Sequence, residues 1–562
     1  MSTPRPDAAT LQLPSPSPGP DTPARTRTAG TEPDPAGHRP VSTPDEPLDL
    51  IGIGIGPFNL SLAALAHPLT ELRTAFYDQR PAFQWHPGLL IEDATLQVPF
   101  LADLVTLADP ASPWSFLNYL KHRERLFPFY FAERFHIHRA EYDGYCRWVS
   151  TNLPALRFRH QVDAVRWNAD RAAFEVDYTQ LGADGEAEAL GRAYARNLAL
   201  GIGSVPHVPE ALKPLADAPA VPVLHSADYL AHRERLLAAE HITVIGGGQS
   251  GAEVFLDLLR ARPPGREGLH WLARTGAFAP MEYSKLGLEH FTPDYTRYFH
   301  ALPESVRDEL LPGQWQLHKG IDHGTLAAIH DELYRRTLHG GWPDATLTPG
   351  VTVRTAGRVG TTKVELHLEH PHQAARSRLT TDAVVLATGY RASRTDTLLA
   401  ALDPYMRRDA AVRPRIDTEQ RLVLDPCVTG SVFVQNAEHH THGVGTPDLG
   451  PPLPPAPPTP PPPRPPPQLH PHRKPLTRPA QAPHTDTWAF RTAGTPGRTY
   501  VGPQNTGTPS RVSRQSTEAN RAPSISPVSF TQLMITLRIS SDVDHTCGAF
   551  ATCGKFPPPL AR

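Results

Sequence analysis

The chain reads as an α/β fold of two doubly wound units, one inserted in the other. Three observations predict it. Two glycine-rich passages each stand between a strand pattern and a helix pattern. Two later strands each run into a small-residue turn. Proline-laden ends can join neither unit.

Residues 1–47 are a Pro/Ser/Thr/Asp stretch with hardly an apolar cluster, and read as a disordered extension. "LDLIGIGIG" from Leu48 is a buried-strand run entering glycines, and "PFNLSLAALA" behind it is an apolar helix pattern. Gly52 is expected to permit the turn, Gly54 to let a phosphate approach the backbone, and Gly56 to keep that approach open. Pro57 stands where a dinucleotide loop usually has its third glycine. Proline is tolerated there because an N–H in the first helical turn has no intrahelical partner. The next strand, "LRTAFYD", ends on Asp78, placed to catch a ribose hydroxyl. That implies an adenosine with a free 2′-OH, as in FAD or NAD.

"ITVIGGGQSGAEVFLDLL" repeats the theme, with Gly246, Gly248 and Gly251 completing G-x-G-x-x-G between a β-branched strand and an amphipathic helix. Its following strand, "LHWLART", carries Arg274 near its end instead of an acid, which suits the 2′-phosphate of NADP. "NLALGIG" at Asn197 and "DAVVLATGY" at Asp382 are strands whose turns can pass close to a bound dinucleotide. The expected architecture is therefore two Rossmann-like dinucleotide-binding domains, the NADP domain inserted in the FAD domain. Residues 48–205 and 391–450 form the FAD part, and 206–390 the NADP part with a substrate-lining segment.

Composition bounds the rest. The 64 prolines are far above the usual ~5% and crowd into the ends. "PPLPPAPPTPPPPRPPP" from Pro451 allows neither helix nor ladder, and 451–562 shows no convincing periodicity. A formal charge of −2 makes no electrostatic case for nucleic acid or an anionic membrane. There is no apolar run of transmembrane length and no signal-peptide core. Four scattered cysteines (Cys146, Cys427, Cys547, Cys553) make no disulfide framework and no metal site, so a reducing cytoplasm fits. A dithiol reductase would need a redox cysteine pair near its flavin, which this body lacks. Hydride transfer from NADPH to FAD, followed by reaction with oxygen or another acceptor, remains. The cofactor carries that chemistry, so no catalytic triad or metal is required.

Several passages are distinctive together: "DLIGIGIGPFNLSLAAL", "FQWHPGLLIEDATLQVPFLADLVTLADPASPWSFLNYL", "EYDGYCRW", "ITVIGGGQSGAE", "VVLATGY" and "THGVGTPDLG". From about Leu48 to Gly450 they resemble the N-hydroxylating flavoprotein monooxygenases of siderophore biosynthesis, which act on lysine, ornithine or diamines. The glycine-proline loop is itself a feature of that family. The resemblance implies FAD reduced by NADPH, oxygen held as a flavin C4a-hydroperoxide, NADP+ retained beside it, and attack by a neutral primary amine to give a hydroxylamine. It places Trp85, His86 and Gln97 along the flavin and Val162 near its adenine. Gly247, Gly248, Gln249 and Ser250 then hold the nicotinamide dinucleotide.

The resemblance also bears on the amine. The family's amino-acid enzymes carry a lysine five residues after the motif glutamine, where it pairs with the substrate's carboxylate; here that position is Ala102. An asparagine of the ornithine enzymes matches Leu288. Burying a carboxylate without its cation costs roughly 3–5 kcal/mol, so a diamine such as cadaverine or putrescine is the expected substrate. Asp448 in "TPDLG" is the expected partner of the far ammonium. Lysine or ornithine remains the alternative. A catalytically dead flavin-binding or interaction protein, docking SH3- or WW-like partners through polyproline, is the alternative of another class. Self-association is open. Beyond Gly450 the family pattern stops abruptly, and the tail reads as an altered reading frame, with a natural linker as the other reading.

Overall fold

The computed structural model describes residues 42–216, 221–338, 340–341, 344–393 and 397–446. Asp448, Cys547, Cys553 and the 451–562 tail lie outside the described residues. Residues 42–47 depart from the expected disorder: Ser42 is buried, and its hydroxyl accepts a hydrogen bond from the Tyr194 amide at 2.8 Å. One side-chain oxygen satisfying a strand donor is a signal too short for composition to reveal.

The first sheet contains β1 (Leu48–Ile53), β2 (Thr74–Asp78), β3 (Leu156–Phe158), β4 (His160–Asn168), β5 (Ala173–Leu181) and β6 (Ala187–Leu200), in the order β3-β2-β1-β6-β5-β4. β6 serves three partners along its length, the third being a late strand of the chain. Its first half pairs antiparallel with β5, and its second half runs parallel to β1, with Leu48 opposite Ala195 and Ile53 opposite Leu200. From there the chain leaves through β7 (Ser204–Pro206). The second sheet holds β8 (Val223–His225), β9 (Ile242–Ile245), β10 (Leu269–Leu272) and β11 (Ala345–Thr348). An antiparallel trio, β12 (Thr352–Val359), β13 (Lys363–His370) and β14 (Ala375–Thr381), precedes β15 (Ala383–Leu386). β15 completes the parallel order β11-β10-β9-β15-β8. The chain returns through β16 (Tyr390–Ala392), which pairs antiparallel with β7, and β17 (Val432–Val434) rejoins the first sheet beside β6. The second parallel sheet is thus inserted between two strands of the first, as the two-loop pattern predicts.

Four helices position the site: α1 (Pro57–Ala66), α2 (Arg139–Asn152), α3 (Gln249–Ala261) and α4 (His323–Thr337). Leu60, Ala63 and Ala64 of α1 share one core with Tyr142, Tyr145, Cys146 and Val149 of α2 on the first sheet. Each fully buried large apolar side chain there contributes about 1.5–3 kcal/mol. On α3, Val254, Phe255, Leu258 and Leu259 form the helix-period stripe that packs onto the second sheet. Leu89, Ile91 and Ala94, from the first part of the chain, lie in that same second core. The two units also touch backbone to backbone: a Cβ on Gly88 would sit 1.8 Å from the Ala227 carbonyl oxygen. Among the described residues no helix is long and apolar enough to cross a membrane.

Candidate dinucleotide and amine site

The first glycine loop works differently in its details from the sequence expectation. Gly52 does not make the turn. It lies inside β1, where a Cβ would strike the Phe76 ring at 2.0 Å, so its role is close strand packing. The turn falls at Gly54, whose φ of +86° favours glycine and whose Cβ would stand 2.4 Å from the Gly201 carbonyl oxygen. Gly201 belongs to the "NLALGIG" turn, so that turn packs directly on the loop. The loop is fixed from below by Asn59, whose buried amide donates to the Gly54 carbonyl at 2.8 Å and to the Ile53 carbonyl at 3.2 Å. Gly56 precedes α1 with open space where a side chain would stand, and Pro57 takes the first helical position. No side chain caps α1 and no acid occupies its first turn, so its end amides are left for an anion.

Asp78 ends β2 as expected, but its oxygens are already engaged. Oδ2 accepts from the Ile55 amide at 2.7 Å and from Arg80 Nη2 at 2.7 Å. Oδ1 accepts from the Arg80 amide at 2.8 Å and from Arg80 Nε at 3.0 Å. Burial pushes its carboxyl pKa up, but the Arg80 side chain and the two amides prevail and hold it below the usual carboxylate range. Asp78 therefore anchors the loop, and a ribose hydroxyl reaching it would share an occupied oxygen.

Above the loop opens a cavity of about 1040 Å³. Its wall includes Gly54, Gly56, Pro57 and Asp78 at one end, Val162 on β4, and Trp85, His86 and Gln97 on the flank. Val162 sits at a register shift between β4 and β5, an irregularity of the kind that re-aims side chains. The Trp85 amide donates to Asp143 of α2 at 2.9 Å, and its ring meets Tyr142 edge-on with centroids 5.0 Å apart. His86 adopts a left-handed backbone (φ +46°), uncommon for a side chain of its size. Its ring lies between Trp85 and Tyr390. Burial first, then the charges of Arg139 and Arg80, lower its pKa to about 4, so it is neutral. Leu288 lines the cavity beside Met281, Tyr283, Phe291 and Leu317. Ala102 is buried and is not part of the wall, since a methyl group is too short to reach it.

The second loop stands outside this wall but is linked to it. Gly246 has φ +141°, and its Cβ would lie 2.0 Å from the Ala387 carbonyl oxygen in the "DAVVLATGY" turn. A Cβ on Gly251 would meet the Gly246 carbonyl oxygen at 2.2 Å, the close helix–loop contact expected of the third glycine. Gly247 packs near Ala273, while Gly248 precedes α3, whose first residues are Gln249 and Ser250. Like α1, α3 starts without a side-chain cap or an acid in its first turn. The two loops thus fit dinucleotides by the same features: glycine where a Cβ would collide, and uncapped amides beyond. Arg274 is exposed just past β10. With Arg391 and Lys213 it surrounds His207, whose pKa falls through partial burial and then these three charges.

Sequence reasoning missed a chain of contacts between the two sites, buried at its centre. Gln97 Oε1 accepts from Arg139 Nη2 at 3.4 Å, and Arg139 Nη1 pairs with Glu253 Oε2 at 2.7 Å. Glu253 Oε1 accepts from Gln249 Nε2 at 2.7 Å, and Gln249 Oε1 accepts from the Asp322 amide at 2.7 Å. A charged residue on the apolar face of α3 was the available signal, since an unpaired carboxylate is rarely buried.

The chain from residue 46 to 392 matches the family model described as L-lysine 6-monooxygenase/L-ornithine 5-monooxygenase. It is 41% identical over 416 residues to the rhizobactin siderophore biosynthesis protein RhbE of Rhizobium meliloti, covering 72% of this chain and 88% of that one. A putrescine N-hydroxylase of Shewanella oneidensis is 39% identical over 402 residues, covering 72% and 78%. The solved structure of DfoA bound to FAD, a cadaverine monooxygenase of the desferrioxamine pathway from Erwinia amylovora, aligns with a TM-score of 0.67 at 38% identity, covering 72% of this chain and 91% of that one. With both glycine loops and the cavity in place, these matches make the chain a member of the L-lysine 6-monooxygenase/L-ornithine 5-monooxygenase family.

Proposed function

We propose that this protein hydroxylates the nitrogen of a primary amine, a diamine such as putrescine or cadaverine, in the making of a hydroxamate siderophore. NADPH, a proton, O2 and the neutral amine are consumed, and the hydroxylamine, water and NADP+ are formed. When bound, FAD reduced by NADPH supplies the activated oxygen atom. The residues of this chain bind, orient and exclude water. Gly54, Gly56 and the start of α1 take the FAD pyrophosphate, Val162 flanks its adenine, and Trp85, His86 and Gln97 border its ring system. Gly246 to Gly251 take the NADPH pyrophosphate, and Arg274, with Arg391 beside it, takes the 2′-phosphate. Residues 48–205 and 391–450 then form the FAD part, with 206–390 as the NADPH part. Met281, Leu288, Phe291 and Leu317 give the amine an apolar surround, which favours its neutral, nucleophilic form.

One observation carries the choice of diamine. Among the described residues, the cavity wall contains no lysine, and its arginine, Arg80, is held by Asp78 at 2.7 Å. An amino-acid carboxylate would be buried there without a cation, costing roughly 3–5 kcal/mol or about two to three orders of magnitude in affinity. The test is an amine panel with NADPH oxidation and hydroxylamine counted separately. Cadaverine or putrescine should exceed lysine and ornithine in kcat/KM by about a hundredfold or more. Faster oxygenation of either amino acid would overturn the assignment.

A further inference from the structure

A diamine brings a second nitrogen that stays charged while the first reacts, and a buried ammonium needs an acceptor. Two carboxylates stand in the described cavity wall, Asp78 and Asp163. Asp78 is committed to Arg80. Asp163 lies on β4 beside Val162, accepting from Gln161 at 3.0 Å and from the Thr179 hydroxyl at 2.7 Å. Both belong to the first sheet, whereas Met281, Tyr283, Leu288 and Phe291 of the wall come from one segment of the inserted unit.

That segment contributes Tyr283 to the wall. The Tyr283 hydroxyl donates to Asp322 Oδ1 at 2.9 Å and receives the His323 amide at 3.3 Å. Asp322 is itself fixed. Its Oδ2 caps α4 through the Thr325 amide at 2.7 Å, and its amide donates to Gln249 at 2.7 Å. A carboxylate thus sits one hydrogen bond behind the cavity surface. Donating to an anion enriches the phenol oxygen, which makes it a better acceptor. The aromatic ring adds an attractive face for a cation. Partial burial first, then Asp322, raises the Tyr283 pKa, so the phenol keeps its proton and the hydrogen bond persists. The lysines nearest in sequence, Lys285 and Lys319, are exposed.

We infer that Tyr283, backed by Asp322, receives the remote ammonium of the diamine and sets the preference for diamines over monoamines. This rests on the amine-hydroxylating reading above. The experiment compares cadaverine with pentylamine, which has the same carbon chain and no second nitrogen. For each, kcat and KM are measured by hydroxylamine formation, and cadaverine binding is measured by calorimetry on the FAD-loaded protein. In Tyr283→Phe the cadaverine-to-pentylamine ratio of kcat/KM should fall by about tenfold, through KM, with a matching rise in Kd. Asp322→Asn should act in the same direction, and asparagine still caps a helix, so the variant is expected to fold. An unchanged ratio in Tyr283→Phe overturns the inference while leaving the amine hydroxylase standing. Wild-type protein that oxidises neither amine sinks the underlying reading instead.

Discussion

The Arg139–Glu253 pair gives the sharpest test of how the two units are held together. Both side chains are almost wholly buried, at 10% and 6% exposure, and they join α2 to α3 across the interface. Breaking a buried pair from one side costs about 3–5 kcal/mol because a charge is left behind. The two sides should not cost the same. Glu253→Leu leaves a guanidinium that cannot shed its proton, with Gln97 at 3.4 Å as a remaining partner. That variant belongs at the upper end, about 5 kcal/mol. Arg139→Met leaves Glu253 with Gln249 at 2.7 Å, and burial already raises the Glu253 pKa, so the acid can take up a proton. That variant belongs near 3 kcal/mol. With both replaced, no charge remains to desolvate, and the double variant should lie within about 1 kcal/mol of wild type. Scanning calorimetry reads this directly. For a unit of this size the expected falls in Tm are roughly 10–20 °C for Glu253→Leu and 6–12 °C for Arg139→Met. If the losses add in the double variant, to about 8 kcal/mol, or if Arg139→Met costs more, the reasoning is wrong.

Other consequences can be checked on the same protein. Gly54→Ala must place a Cβ 2.4 Å from the Gly201 carbonyl at positive φ, so it should purify with little FAD, as its flavin absorbance would show. Gly246→Ala should keep its FAD and lose tight NADP+ binding in fluorescence titration, because its collision is with Ala387 in the second unit. Asp78→Asn removes the anion that gathers Ile55 and Arg80, and FAD dissociation on dilution should rise about tenfold or more; an unchanged constant would reject the anchoring role. Stability should peak near neutral pH. Burial, then nearby positive groups, lowers His86, His318 and His439 to about 4 and His442 to about 3, so the unfolded chain binds more protons below pH 6.5 and stability falls as pH drops toward 4. Burial raises Glu438 to about 8, so its contribution is full below the unfolded value of 4.5 and fades as pH climbs through 8. Chemical denaturation across pH should show Glu438→Gln with a flatter alkaline limb; identical limbs would discard that assignment.

Much of this was legible in the sequence, for a physical reason. A strand entering a phosphate loop needs glycine where a Cβ cannot fit, and that need recurs locally at Gly54, Gly246 and Gly251. Pro57 was readable because the first helical position asks for no N–H. The error at Gly52 has the same origin: an adjacent glycine served packing against Phe76, and spacing alone does not separate a turn from a close strand contact. Asp78 was found at the right strand end, yet its saturation by Arg80 depends on one rotamer two residues away. Ala102 was read by its position in a motif as the place of a missing lysine, and it does not line the cavity. Pairs such as Arg139 with Glu253, or Tyr283 with Asp322, unite residues 114 and 39 positions apart, and no local period encodes them.

The ribbon of β7 and β16 has a further effect. Tyr390 lies opposite Pro206 and Ala392 opposite Ser204, so the inserted unit departs and comes home at neighbouring points. A segment whose ends already meet adds little closure entropy to the host sheet, whatever its length. Such a graft can be exchanged or enlarged without redrawing the sheet that receives it. Arg391 lies on that seam, with Nη2 3.2 Å from His207 Nε2. A phosphate gathered by Arg391 would therefore stitch the suture itself, tying occupancy of the guest unit to the joint that carries it.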